Sequence, residues 1–339
     1  MKILIRGTNW IGDSMMSVPA MREVRRIFPD SHITLHTKSS SEGLFENASF
    51  IDDIISFKRN RWPAVDVYDN VTFLRDEGFD LAILFPNSFE SALTVFLSRI
   101  PIRVGYNKDA RGLMLTHPIA VPEWKNRRHE VFYYLNLVGE LERRLLGRDS
   151  VSSATPDISI EISKERKRQA LKLLAAAGAD PEKKTVLLGV GSTNSNAKRW
   201  PTDRYAALAD RLTTECGTNT VLIGSSGDSV VASEVASIAT SPPINLVGST
   251  STAEAASIIS VSDLLVSNDM GLAHVAPAVG TRSITIFRHD VPCAPCMLRE
   301  CPIDHRCMTG ISPAAVFDQA AIALTDPIME IYETTGSVS

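Results

Sequence analysis

Short apolar runs alternate with amphipathic stretches along most of the chain, and this alternation predicts a parallel α/β architecture. Lys2–Arg6 (KILIR) is a strand that ends at Gly7 and leads into Gly12-Asp13-Ser14. Met15–Phe28 predicts a helix that tolerates Pro19 near its first turns. His32–His36 (HITLH) and Asp80–Phe85 (DLAILF) are the next strands, Ser88–Leu97 the helix that follows, and His129–Leu146 a long amphipathic helix. Arg148–Ile158 (RDSVSSATPDI) is Ser-rich, contains Pro156 and lacks a period, so it predicts a linker. After the helix Lys164–Ala177 a second series begins. Its strands are Thr185–Val190 (TVLLGV), Thr220–Gly224 (TVLIG), Asp263–Ser267 (DLLVS) and Ser283–Phe287 (SITIF). Helices are predicted over Asp203–Cys216, Ser229–Thr240 and Ala273–Val279. Strands this apolar suit sheets covered on both faces. The pattern predicts two α/β units of similar size, residues 1–160 and 161–339, with a cleft between them.

Length agrees, since 339 residues exceed one ordinary core. The hydrophobic fraction of 44% and charged fraction of 22% are those of a soluble globular protein. A net charge of −4 and a pI near 6.0 argue against a nucleic-acid partner. The local basic run Lys164–Arg168 reads as a solvated helix face. The N-terminus lacks the apolar segment and cleavage site of a signal peptide. No apolar stretch approaches the ~18 residues of a membrane span. The expectation is a cytoplasmic protein whose membrane contact is peripheral.

Three strand-to-helix junctions hold candidate chemistry. In Arg6-Gly7-Thr8-Asn9-Trp10-Ile11-Gly12-Asp13, Asp13 falls at a helix N-terminus, where the dipole favours its charge. As residues alone, a helix cap and a functional carboxylate stand equally. Gly191 to Pro201 (GSTNSNAKRWP) is rich in hydroxyls and amides and ends in Lys198-Arg199, which suits either a diphosphate or an ordinary solvated loop. Ser267 to His274 (SNDMGLAH) puts Gly271 at a helix start, where free N–H groups attract an anion. Asp269 there caps the helix or holds sugar hydroxyls, and His274 in the first turn is a packing residue or a catalyst. Gly224 to Asp228 (GSSGD) is a fourth, weaker junction that signifies a turn and a cap.

Taken in order, these segments resemble the lipopolysaccharide heptosyltransferases of glycosyltransferase family 9, the heptosyltransferase II type in particular. The likeness runs through MKILIRGTNWIGDSMMSVPAMREVRRIFP, FDLAILFPNSFESAL, RVGYNKDARGLMLTHP and HEVFYYLNLV. It continues in AKRWP, SDLLVSNDMGLAHVAPAVGT and RECPIDHRCM, and so covers nearly the whole chain. The resemblance implies a GT-B fold of two Rossmann-like, doubly wound parallel-sheet domains facing a central cleft. The first would bind the acceptor and the second the nucleotide-sugar donor, with the last helix able to pack back on the first domain. It implies an inverting, metal-independent transfer of L-glycero-D-manno-heptose from ADP-heptose to the lipopolysaccharide inner core, beside the cytoplasmic face of the inner membrane. Asp13 matches the family's proposed general base. Lys198 matches its phosphate-binding lysine, and Asp269, Gly271 and His274 lie in its donor motif. Thr193 and Asp228 match its donor site in looser segments, and Met270 stands where the family often has Ser or Thr.

The chemistry fits these residue types independently. Inversion needs a base for the acceptor hydroxyl, worth roughly two to four orders of magnitude. The leaving diphosphate needs cations or oriented N–H groups. Lys198, Arg199 and the helix start at Gly271 supply these without a metal, and no Asp-x-Asp pair appears in the loops to hold one. Asn9, Trp10, Asn87, Ser88, Arg103 and Arg111 are candidates to hold an anionic core sugar, with a surface ion pair an equal reading for Arg103. Cys293-x2-Cys296-x4-Cys301-x5-Cys307, with His305, has ligand types for zinc but lacks two separated CxxC pairs; free thiols in a loop are the expected state. Rival functions are a GT-B hexosyltransferase using another nucleotide sugar, and a non-catalytic sugar-nucleotide-binding protein of envelope assembly. A Rossmann dehydrogenase is disfavoured, because no GxGxxG follows the first strand.

Overall fold

A computed structural model describes residues 1–57, 63–192, 195–288, 291, 293, 296 and 298–325. These form two compact units. One comprises Met1–Leu173, Thr250–Val261 and Met270–Thr281; the other comprises Leu174–Ser249, Ser262–Asp269 and the described residues from Arg282 onward.

The first unit is built on a six-stranded parallel sheet of β1 (Lys2–Arg6), β2 (His32–Lys38), β3 (Asp53–Phe57), β4 (Leu81–Leu84), β5 (Ile102–Tyr106) and β6 (His117–Ile119). Their order is β3-β2-β1-β4-β5-β6. Register is fixed by pairs such as Leu4 with Thr34 on one side and Ala82 on the other. Ile3, Leu4 and Ile5 are fully buried, as are Leu81 to Leu84, because both faces of the sheet are covered. Its helices are α1 (Ile11–Met16), α2 (Val18–Ile27), α3 (Ser39–Glu42), α4 (Pro63–Glu77), α5 (Phe89–Leu97) and α6 (Glu130–Leu146), and α7 (Lys164–Ala176) runs from this unit into the other. The expected helix Met15–Phe28 is two helices, broken at Ser17 just before Pro19. His129 caps α6, accepting from the Val131 N–H at 3.3 Å, and Gly147 ends it in a left-handed turn. The Ser-rich stretch after α6 is anchored: the buried Glu142 carboxylate accepts from the backbone N–H groups of Ser150 and Val151.

The second unit repeats the plan with five parallel strands, β7 (Thr185–Gly189), β8 (Asn219–Leu222), β9 (Ile244–Asn245), β10 (Leu264–Asn268) and β11 (Arg282–Ile286), ordered β11-β10-β7-β8-β9. Its helices are α8 (Thr202–Glu215) and α9 (Ser229–Ile238). α10 (Thr252–Ile259) and α11 (Gly271–Ala278) alternate with its strands in sequence but pack in the first unit. α12 (Arg306–Thr309) and α13 (Pro313–Thr325) complete the described chain, and α13 packs on α8, β10 and β11. Val186, Leu188, Trp200, Tyr205, Leu208, Val266 and Phe317 belong to this unit's core. Both sheets are thus doubly wound and parallel, the fold class read from the sequence.

Candidate functional site

In each sheet the winding reverses between two central strands, β1 and β4 in the first and β7 and β10 in the second. Loops leaving the carboxyl ends of such strands diverge and leave room for a ligand. The loops at those four points contain most of the residues singled out in the sequence.

In the first unit, the loop after β1 leads into α1, where Asp13 occupies the first turn. Arg6 is buried and shapes this loop: it donates to the Gly7 carbonyl and, at 3.1 Å, to Asn9 Oδ1. Trp10 is exposed, with the Lys38 ammonium 5.4 Å from its ring centroid. α1 packs directly against α11. The His274 ring lies on Gly12 so closely that a Cβ there would meet Cδ2 at 2.9 Å, and a Cβ on Gly271 would meet Ile11 Cβ at 2.9 Å. Two glycines therefore permit the close contact between α1, which bears Asp13, and the first turn of α11. Met270 precedes that helix in extended backbone and makes no side-chain cap bond.

α6 also packs on α1. Burial raises the Asp13 carboxyl above the usual range; the nearby Glu130 charge raises it further, and Lys125 opposes both. Lys125 Nζ lies 2.8 and 2.9 Å from the two Glu130 oxygens and 3.8 Å from the Tyr133 ring centroid. Asn87, after β4, donates to the Tyr133 hydroxyl at 3.1 Å.

The two arginines read as acceptor contacts are committed elsewhere. Arg111 is fully enclosed and donates to the carbonyls of Tyr106 (2.8 Å) and Pro86 and to Ser91 Oγ (3.2 Å). Burial pushes its guanidinium down to about 10. It braces the Pro86–Ser91 turn that carries Asn87. Arg103 donates to the carbonyls of Met114 (2.7 Å) and Ile100 and stacks on Phe96 at 5.4 Å.

In the second unit, the loop after β7 carries Lys198 in a short 3-10 turn, and Lys198 Nζ donates to Asp269 Oδ2 at 2.6 Å. Asn268, fully buried at the end of β10, ties both ends of that loop together. Its Oδ1 accepts from the Trp200 N–H at 3.0 Å, and its Nδ2 donates to the Val190 and Gly191 carbonyls. Asp228 is buried too, forming a capping box with Ser225 and facing Arg199 Nη2 at 3.9 Å and the Cα of Gly191. Thr193 lies outside the described residues.

The Cys-bearing segment leans on this loop. The Ala197 N–H donates to the Arg299 carbonyl at 3.1 Å, and His305 Nε2 donates to the Ala197 carbonyl at 2.9 Å. Cys293, Cys296, Cys301 and Cys307 are free thiols, and burial followed by its three neighbours raises Cys307. Among the described residues no three His, Cys, Asp or Glu side chains are placed to hold a metal ion.

The sequence missed Glu130, Lys125 and Asn268 as members of these sites. Glu130 reads as an ordinary acidic residue of a helix first turn, and Asn268 as the polar end of a strand. Only the neighbouring elements reveal what they face.

The family model described as glycosyltransferase family 9 (heptosyltransferase) matches residues 71–295. The chain belongs to glycosyltransferase family 9. A lipooligosaccharide heptosyltransferase 2 of Haemophilus ducreyi is 30% identical over 294 residues, covering 82% of this chain and 80% of that protein. The solved ADP-heptose lps heptosyltransferase II of E. coli superposes with a TM-score of 0.78 at 24% identity, covering 96% of this chain and 98% of the other. A family 9 glycosyl transferase of Veillonella parvula has a TM-score of 0.80 at 20% identity, covering 95% and 97%. The chain is a transferase of this family with the GT-B fold that the resemblance implied. No helix among the described residues is long and apolar enough to cross a membrane.

Proposed function

We propose that this glycosyltransferase moves L-glycero-D-manno-heptose from ADP-heptose to the lipopolysaccharide inner core, with inversion at the anomeric carbon. The observation that supports the mechanism is the packing of α1, the helix that bears Asp13, on α11, the helix that starts at Gly271. The acceptor hydroxyl oxygen bonds to the anomeric carbon as the carbon–oxygen bond to the diphosphate breaks. The proton passes to Asp13, and ADP leaves with the electron pair. A half-buried carboxylate with raised affinity for protons is a stronger base than an exposed one.

Lys198 offsets the charge that develops on ADP. Without ligand, Lys198 is held by Asp269, and a diphosphate competes for the same ammonium. Asp228 acts through Arg199 and the Gly191 turn. On the acceptor side, Asn9, Trp10 and Asn87 offer polar and stacking surface, while Arg111 positions Asn87. The work is done at the cytoplasmic face of the inner membrane, and the residues assigned here need no metal ion.

The test is a transfer assay with ADP-heptose and truncated core acceptors, read by product mass and anomeric configuration. Asp13→Asn should cut turnover by roughly two orders of magnitude or more while leaving donor affinity intact. Unchanged turnover removes the base assignment, and equal use of UDP- or GDP-hexoses removes the donor assignment.

A further inference from the structure

Residues 299–308 (RECPIDHRCM) have no part in the transfer as described, yet they grip the loop that carries Lys198. The turn at Lys198 is a three-residue 3-10 segment, Asn196–Lys198, too short to hold its own geometry. Its fixings come from elsewhere in the same unit. Ser195 Oγ donates to the Leu298 carbonyl at 2.7 Å, Asn196 Nδ2 to Glu300 Oε1 at 2.5 Å, and the Ala197 N–H to the Arg299 carbonyl at 3.1 Å. His305 Nε2 closes the set, donating to the Ala197 carbonyl at 2.9 Å. Ala197, buried and next to Lys198, is thus held at both its N–H and its carbonyl by one segment. That segment is itself anchored. His305 has left-handed backbone (φ 57°), and its carbonyl accepts from the N–H groups of Met308 and Thr309 in α12. Met308 in turn lies in the core of this unit. On the far side of Lys198, the Trp200 indole donates to the Ile311 carbonyl at 3.0 Å, so the turn is bracketed.

We propose that His305 is a positioning residue for donor binding: by holding the Ala197 carbonyl it fixes the turn from which Lys198 reaches the diphosphate. The proposal rests on Lys198 being the phosphate-binding cation. A lysine ammonium rides on a flexible four-carbon stem, so where it goes depends on where the backbone turn is placed. A carbonyl only accepts, so the proton is on Nε2 and the ring serves as a fixed donor. The residues on either side of His305 are spent on each other, Arg306 pairing with Asp304 at 2.6 Å. Without the imidazole, the carbonyl of a buried residue loses this donor and the leading side of the turn is freed. Asp269, which Lys198 meets at 2.6 Å, lies in the same unit as the whole clasp.

The experiment measures ADP affinity by calorimetry for the full chain, H305N, H305Q, K198M and the H305N/K198M pair, with the ligand-free unfolding temperature of each. Asn suits the left-handed backbone at this position, but its amide is too short to stand where Nε2 does, whereas the Gln amide reaches that point. H305N should weaken ADP binding roughly ten-fold, and H305Q should return to within about three-fold of wild type. In steady state the KM for ADP-heptose should rise in H305N by the same factor, while the KM for the acceptor holds. Since His305 acts through Lys198, H305N should cost little more once K198M is present. That non-additivity, together with the rescue by Gln, is something a general loosening of the fold cannot produce. The proposal is overturned by H305N binding ADP as wild type does, by H305Q binding no better than H305N, or by losses that simply add in the H305N/K198M pair. If H305N does not fold, S195A/N196A takes its place, since it cuts the other two side-chain ties. Weaker ADP binding that does not add to K198M is again expected, and wild-type binding or simple addition again overturns the proposal. K198M binding ADP normally instead overturns the phosphate-binding assignment beneath it.

Discussion

Burial acts on two titratable groups of the first unit in opposite senses, because it penalises whichever form is charged. It raises Asp13 and lowers His36, which it pushes to about 3 with help from the adjacent Arg6 charge and against the hydrogen bond to Asn70. His36 Nε2 lies 3.0 Å from Asn70 Oδ1, and the ring is tilted against Phe57 at 4.8 Å. A neutral folded imidazole whose unfolded counterpart titrates near 6.5 contributes stability that is complete above pH ~6.5. That stability is lost as pH falls towards 3, about 2 kcal/mol of it by pH 5. Urea unfolding at pH 7 and pH 5 should show this loss in the wild type and a clearly smaller one in His36→Gln. Parallel losses in the two proteins would clear His36 of the effect. The sequence did not reveal this group: HITLH reads as a strand, and its burial comes from Phe57 on β3, a strand the hydrophobic pattern left unread. Asp13 and Lys198 were singled out because each sits in a loop whose glycines, hydroxyls and cations suit a ligand. The carbonyls that Arg111 donates to were not legible either, since they lie in other segments of the chain. Residue type names a chemistry, while the partner that uses it arrives from another part of the chain.

At the scale of elements, the most apolar strands and several helices were readable, whereas strands β3, β5, β6 and β9 and helices α4, α10 and α13 were not. β9 is two residues and β6 includes Pro118, so neither has enough positions to show a period. The break at Ser17 escaped because Pro19 is compatible with a first helical turn, and the pattern does not say which turn that is. The α1–α11 contact was equally hidden, since it depends on what Gly12 and Gly271 lack. It yields a direct expectation. Gly12→Ala places a methyl 2.9 Å from the His274 ring, and Gly271→Ala places one 2.9 Å from Ile11 Cβ, so either must spread the two helices. Overpacking of this kind costs roughly 1–3 kcal/mol. Turnover should fall more steeply than stability, because a displacement of about 1 Å at the proposed base is worth up to ~100-fold. Thermal unfolding alongside steady-state kinetics measures both, and a variant with full activity would show that this contact does not position Asp13.

Across the molecule, one device is used twice: a doubly wound parallel sheet whose switch point releases two loops towards a ligand. The second sheet's switch point is the proposed diphosphate site, with Lys198 after β7, Asp269 after β10 and Asn268 tying the loop after β7 to β10. A ligand that binds only the folded chain stabilises it by an amount set by concentration over Kd, about 2.7 kcal/mol at one hundred times Kd. ADP should therefore raise the unfolding temperature, and more than UDP at equal concentration if the adenine is recognised. Lys198→Met should abolish most of the shift at the same ADP concentration. It also leaves Asp269 without its partner, so the shift is compared with the variant's own ligand-free value. D13N should keep the full ADP shift if, as proposed, Asp13 takes the acceptor proton and leaves the diphosphate to other groups. If instead D13N lost the shift and K198M kept it, the division of labour between the two switch points would be reversed. Asp13 would then belong to donor binding, and the proton acceptor would have to be sought among the carboxylates of the second unit.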